Sequence, residues 1–133
     1  MEGLVFFVSY TLNSERVKMN HCDLTEAASL KMYILIKRQT PRGIAIVSAA
    51  HASLAVYLKF KESKEVSDWL EWSFKKVVCT VTAEQFEESK EYEDHTVMTE
   101  STLGNQEISI GFKPRAVWPA FFKTLRLYND QDQ

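Results

Sequence analysis

The sequence predicts an α/β domain, a three-layer α/β/α sandwich around a mixed four-stranded sheet. Short runs rich in β-branched and aromatic residues, KMYILIK at Lys31–Lys37 and KKVVCTV at Lys75–Val81, fit strands covered on both faces. These runs alternate with helical patterns in the order βα(α)βαββα, which is the signature of helices packed on both faces of a sheet.

The totals agree with one domain and exclude several classes. The chain has 133 residues, 45% hydrophobic and 26% charged, which suits a single packed core and excludes a disordered chain or a repeat array. Its two cysteines, Cys22 and Cys79, form neither a disulfide framework nor a CxxC pair and predict a reducing compartment. A net charge of −2 carries no global signature for nucleic acid. The apolar stretch LVFFVSYTL at 4–12 is too short to span a bilayer, and Glu2 precedes it where a secretory signal has a basic region. A cytoplasmic protein with no membrane association is expected.

Three segments are expected: an N-terminal extension over 1–30, the α/β domain over 31–128, and a polar tail over 129–133. Within the extension, residues 5–11 have the composition of an added strand or arm, a loosely ordered leader being the alternative. The domain opens with the strand Lys31–Lys37, followed by a turn built on Pro41 and Gly43. From Ile44 onward small residues such as Ala45, Ala49 and Ala52 recur among Ile, Val and Leu. They predict a long helix apolar nearly all round and therefore mostly buried. A short helix follows over 66–72, with Val66, Trp69 and Leu70 on one face. After the strand Lys75–Val81, Thr82 stands three residues before Gln85 in a capping-box pattern that opens an acidic helix over 83–93. Phe86 is its core contact, and its glutamates form a solvated face. Strands at His95–Glu100 and 107–112 flank a loop containing Gly104. Pro114 ends the last strand, and Val117, Phe121, Phe122 and Leu125 then recur at helical spacing, with Pro119 acceptable in the first turn. The first crossover is expected to be right-handed. Ligands of such sheets bind beyond the carboxyl ends of the strands, which here collect residues 37–44, 80–82 and 100–104.

Lys31-Met32-Tyr33-Ile34-Leu35, Gly43, Ala49-Ala50-His51-Ala52, Phe74-Lys75-Lys76-Val77-Val78 and the closing Leu125-Arg126-Leu127-Tyr128 together resemble the type 2 peptidyl-tRNA hydrolases. The resemblance covers about 31–128. It implies that family's fold and cleavage of the ester joining a peptide to the 3′ ribose of tRNA. That chemistry needs an activated water, a positive group for the developing oxyanion and a basic surface for RNA. Compared with the family motif, Gly43 and His51 are retained. Ile44 stands at the motif lysine, Ser48 at the glutamine, Ala49 at the cysteine found in many members, and Glu100-Ser101-Thr102 in place of an Asp-centred motif.

The candidate catalytic residues are accordingly Arg42, which stands beside the glycine and offers a charge that Ile44 lacks, together with His51, Glu100 and Thr102. Each has a plainer alternative: a hydrogen-bonded core histidine for His51, and loop groups of no special role for Glu100 and Thr102. The candidate RNA-binding residues are Lys37, Arg38, Arg42, Lys113 and Arg115, expected to form one positive edge. Trp69 and Trp118, beside apolar neighbours, are expected in the core rather than stacking bases. No metal site is expected, because His21, Cys22 and Asp23 are adjacent and lack a second half. No cofactor motif occurs. The expected partners are tRNA or peptidyl-tRNA and a second copy in a homodimer. A noncatalytic RNA- or protein-binding member of the same fold is the alternative to a hydrolase.

Overall fold

The computed structural model describes residues 21–129 and residue 131, without the side chains of 21–23. The strand or arm expected over 5–11 lies outside the described residues, as do the side chains of His21, Cys22 and Asp23. The elements are α1 (His21–Ser29), β1 (Lys31–Lys37), α2 (Arg42–Phe60), α3 (Lys64–Asp68) leading into a π-helical turn at Trp69–Ser73, β2 (Lys75–Val81), α4 (Ala83–Ser89), β3 (His95–Glu100), a 3-10 turn at Ser101–Leu103, β4 (Gln106–Phe112), α5 (Ala120–Lys123) and β5 (Arg126–Leu127).

The sheet is mixed and has five strands in the order β3-β4-β1-β2-β5, not four. The additional strand is the short β5, which pairs antiparallel with β2 through Cys79–Leu127 and Thr80–Arg126. Two residues cannot display a strand period, so only the tertiary pairing reveals it. β1 and β2 run parallel, with Lys31 opposite Lys75 and Lys37 opposite Val81. β4 is antiparallel to both β1 and β3, so β3 points the same way as β1.

Strand periodicity sends alternate side chains to two separate cores. Met32, Ile34 and Ile36 face Ala27 and Leu30 at the end of α1, Ala45, Ala52 and Val56 of α2, and Trp69. Tyr33, Leu35, Cys79 and Val81 face Phe86 of α4, together with Phe112, Trp118 and Phe122. Helices thus cover both faces, as the pattern of strands and helices predicts. The second core is dominated by rings: Phe122 lies 5.2 Å from Tyr33, 4.7 Å from Trp118 and 5.0 Å from Phe112, in tilted or edge-on contacts. Trp69 and Trp118 are buried, each with its indole N–H satisfied, by Lys75 O at 2.8 Å and Arg115 O at 3.0 Å. Both are core residues, as their apolar neighbours suggest.

The 31–60 stretch departs from its reading in two ways. The chain reverses at Gln39, which takes a left-handed φ of 67°, and Thr40 Oγ1 donates to Lys37 O at 2.7 Å. Pro41 is the N-cap of α2, and Gly43 lies inside the helix with nothing within 4 Å of where a Cβ would stand. Neither backbone conformation nor space therefore calls for glycine there. α2 also buries a stripe rather than its whole circumference. Ala45, Ser48, Ala52 and Val56 are buried, whereas Ile46 is 63% exposed and Leu54 58% exposed. By length and composition alone α2 could cross a membrane; its buried stripe packs it on the sheet. Close approach is made possible by Gly111 of β4, where a Cβ would stand 2.7 Å from Val56 Cγ2 and 3.3 Å from Ala52 O.

The same interface holds a buried polar pair. Ser48 Oγ and Ser109 Oγ are 2.6 Å apart, and both residues are buried. Ser109→Ala removes the partner of the buried Ser48 hydroxyl and is expected to cost about 1–2 kcal/mol in denaturant melts. Ser48→Ala should cost less, because Ser109 Oγ keeps a longer bond to Ser48 O at 3.4 Å. Ser48→Ala combined with Ser109→Ala should cost less than the two single losses added together, because no hydroxyl is left unpaired.

The acidic helix is shorter than the expected 83–93, but its start is the expected one. Thr82 Oγ1 accepts from Gln85 N at 3.1 Å, and Gln85 Oε1 accepts from Thr82 N at 2.9 Å, a complete capping box. The helix pattern expected around 117–125 contracts to the single turn α5, with Pro119 as its N-cap.

Candidate functional site

Because β1, β2 and β3 share a direction, their carboxyl ends meet one edge of the sheet at Lys37, Val81 and Glu100. α2 begins at that edge. Its first turn carries Arg42, and Ile44 packs partly buried against the core. At the position where the family resemblance expects a lysine, the side chain therefore serves packing. Ser48, at the expected glutamine, is likewise turned into the helix–sheet contact.

β3 breaks register between Met98 and Thr99 and ends at Glu100. The Glu100 carboxylate caps the following 3-10 turn, where Oε1 accepts from Thr102 N at 3.0 Å and from Thr102 Oγ1 at 2.8 Å. Gly104 (φ 69°) and Asn105 (φ 60°) then use the left-handed region to reverse the chain into β4. The Thr102 backbone N–H and then its hydroxyl hold the Glu100 carboxyl below its ordinary range, slight desolvation opposes them, and the charge of His51 adds to the lowering. The folded value is depressed, so the ionised carboxylate contributes stability above the ordinary range. That contribution is lost as pH falls through the lowered value.

Thr102 is the clamp on Glu100, and His51 acts on that carboxyl only through its charge, the smallest of these influences. His51 is solvent-exposed on α2 rather than buried in the core. Arg42 does not join this group through its own helix. Nine residues separate it from His51, which is about 13 Å along the axis and half a turn around it.

The five cations expected on one edge are divided between two. Lys37, Arg38 and Arg42 stand at the carboxyl edge of β1, with Lys37 Nζ 4.5 Å from the Phe86 ring centre and Arg38 exposed. Lys113 and Arg115 come just after β4 and lie at the opposite edge, where Arg115 and Lys31 exchange backbone hydrogen bonds of 3.1 Å. Lys113 is also paired with Asp94 at 3.2 Å. The physical reason is strand direction: β4 is antiparallel to β1, so the end of β4 lies beside the start of β1.

Sequence reasoning missed Lys76. It shares the α2-facing side of β2 with Val78, and its Nζ lies 3.4 Å from the Phe74 ring centre and 4.9 Å from that of Trp69. Burial lowers its pKa from 10.5 to about 8. The period of two from Val78 could have flagged a lysine pointing inward. A depressed lysine pKa means the ammonium weakens the fold fully below about pH 8, and the penalty disappears above about 10.5. Lys76→Met is thus expected to stabilise the chain at neutral pH by about 1 kcal/mol, after allowing for screening at a half-exposed site. The gain should shrink as denaturant melts are moved from pH 8 towards 10.5. Cys79, by contrast, is buried, and burial pushes its thiol up to about 12, which leaves it unreactive. Among the described residues no group of His, Cys, Asp and Glu could hold a metal ion.

The class of protein the fold defines is an α/β sandwich with helices on both faces of a mixed five-stranded sheet. The sequence profile of the family described as Peptidyl-tRNA hydrolase PTH2 matches residues 30–104, more than half of the chain, and the chain belongs to that family. The match spans β1 through the 3-10 turn and includes His51, Glu100 and Thr102. A comparison with curated proteins finds no match.

Proposed function

We propose that the chain hydrolyses the ester between a peptide and the 3′ ribose of tRNA, using His51 as general base. The family match over residues 30–104, which includes His51, Glu100 and Thr102, is the observation that carries this proposal. The Thr102 clamp on Glu100 and the charge of His51 acting on that carboxyl support the choice of residues. The lowered carboxyl makes Glu100 a weak base and a good permanent anion, so its role is to balance an imidazolium. In the reaction, water attacks the ester carbonyl as His51 takes its proton. The tetrahedral intermediate then collapses, and the ribose oxygen leaves with that proton. Thr102 keeps Glu100 in place.

Lys37, Arg38 and Arg42, next to the positive end of α2, are proposed to hold tRNA phosphates. Of the two roles expected of Arg42, this reading keeps RNA binding and gives up catalysis, and it leaves Lys113 and Arg115 outside the RNA surface. Such a protein works where tRNA is charged, and its cysteine usage suits the cytosol. Arg38→Gln is expected to weaken tRNA binding across sequences and to flatten the log–log salt dependence by about 0.7–0.9 for each phosphate it no longer neutralises. Lys113→Gln should do neither. The activity itself is tested by release of peptide from peptidyl-tRNA: turnover above a no-enzyme control is expected. Tight, salt-dependent tRNA binding without release would instead favour a noncatalytic RNA-binding member, the reading suggested by the packing of Ile44 where the family resemblance expects a lysine.

A further inference from the structure

A groove of about 700 Å³ opens between α2 and the π-helical turn, on the flank of α2 away from His51. We propose that this groove binds an apolar carboxylate, an acyl chain lying along α2 with its carboxylate paired to the Lys76 ammonium. The volume is that of a small-molecule site, and the wall has the composition of one: Ala50, Leu54, Trp69, Leu70 and Phe74 supply apolar surface, and Lys76 supplies the cation.

Three features argue for a built site rather than a packing gap. Phe74 is a bulky residue held at φ 60°, where its N–H closes the π-helical turn on Trp69 O at 2.6 Å. Such strain persists only where the surroundings impose it, and here the conformation sets an aromatic ring against Lys76. Second, Lys76 Nζ donates to Phe74 O at 3.2 Å and faces two rings, but among the described residues no carboxylate pairs with it. Ring faces and a carbonyl partly solvate an ammonium without neutralising it. An incoming carboxylate supplies the missing charge, and desolvation in the groove strengthens the pair. Third, the rim is itself apolar, with Leu54 58% exposed beside the opening. The stretch of α2 from Ala49 to Tyr57 that lines the groove is about 12 Å long, the length of an extended medium-chain acyl group.

Calorimetric titration of the full chain with decanoate and with decanol, both kept monomeric, tests the proposal. Decanoate is expected to bind, with proton uptake at pH 8–9 as the pair restores the Lys76 charge. Lys76→Met should weaken decanoate about tenfold, the worth of a charge-assisted hydrogen bond, and leave decanol within about twofold, which also reports that the groove is intact. Ala50→Trp, which fills the groove from its rim, should abolish binding of both. No binding of decanoate by the unaltered chain overturns the proposal, and so does binding that Lys76→Met leaves unchanged. A chain that ignores decanoate and instead changes from dimer to monomer on Ala50→Trp would assign the groove to a second copy. None of these outcomes depends on peptidyl-tRNA hydrolysis.

Discussion

Replacing His51 with alanine is expected to lower the rate of peptide release from peptidyl-tRNA by about a hundredfold or more, the usual contribution of a positioned general base. The loss should appear in single-turnover rate rather than in tRNA affinity, because the three cations assigned to phosphate lie towards the start of α2 and not beside His51. Glu100→Gln should produce a smaller loss by the same route. It keeps the shape and an acceptor for Thr102 while removing the charge that balances the imidazolium. Both substitutions lie at the surface, so thermal melts near those of the unaltered chain are expected and would separate lost chemistry from lost folding. Direct phosphate contact by His51 would give the opposite division, with weakened tRNA binding and an intact rate at saturation.

The largest effect on stability is expected at Phe122. Its ring is buried and touches Tyr33, Tyr92, Phe112, Trp118 and Phe121, so it joins α5 to β1, β4 and the loops around them. Truncation removes the burial free energy and leaves a cavity that five aromatic neighbours, each fixed by other contacts, cannot collapse to fill. Phe122→Ala should therefore cost about 3–5 kcal/mol in denaturant melts. That is a large part of the stability of an ordinary domain. Phe122→Leu should recover much of it. A loss for Phe122→Ala below about 1 kcal/mol would show that α5 is not part of the cooperative core.

The strands Lys31–Lys37, Lys75–Val81 and His95–Glu100 were legible because β-branched and aromatic runs ended at turn residues, and the capping box at Thr82 was legible because it is local chemistry. β5 was not, since its two residues have no period of their own. α2 was overread as mostly buried: a sequence apolar nearly all round says which residues could be buried, and only the sheet decides which are. The result is an exposed Ile46 and Leu54 and an exposed His51. Gly43 suggested a turn, but the turn fell to Gln39, whose left-handed conformation the sequence did not advertise.

The candidate site was legible by position and less so by geometry. Placement beyond the strand ends picked out Glu100 and Thr102, and the family resemblance picked out His51, but the clamp of Thr102 on Glu100 needed the 3-10 turn to be seen. The basic residues were misgrouped because charge counts carry no strand direction. Lys113 and Arg115 are separated from Lys37 by the length of the sheet once β4 runs antiparallel to β1. Lys76 was overlooked as one of many lysines, although its alternation with Val78 held the information.

The central claim is that His51 and Glu100 act as one unit. A double-mutant cycle on single-turnover release of peptide from peptidyl-tRNA measures it directly. Groups acting as a unit are strongly non-additive. The combination of His51→Ala with Glu100→Gln is thus predicted to release peptide no more slowly than His51→Ala alone. Losses that multiply, or an unaltered chain no faster than the uncatalysed control, would contradict the claim.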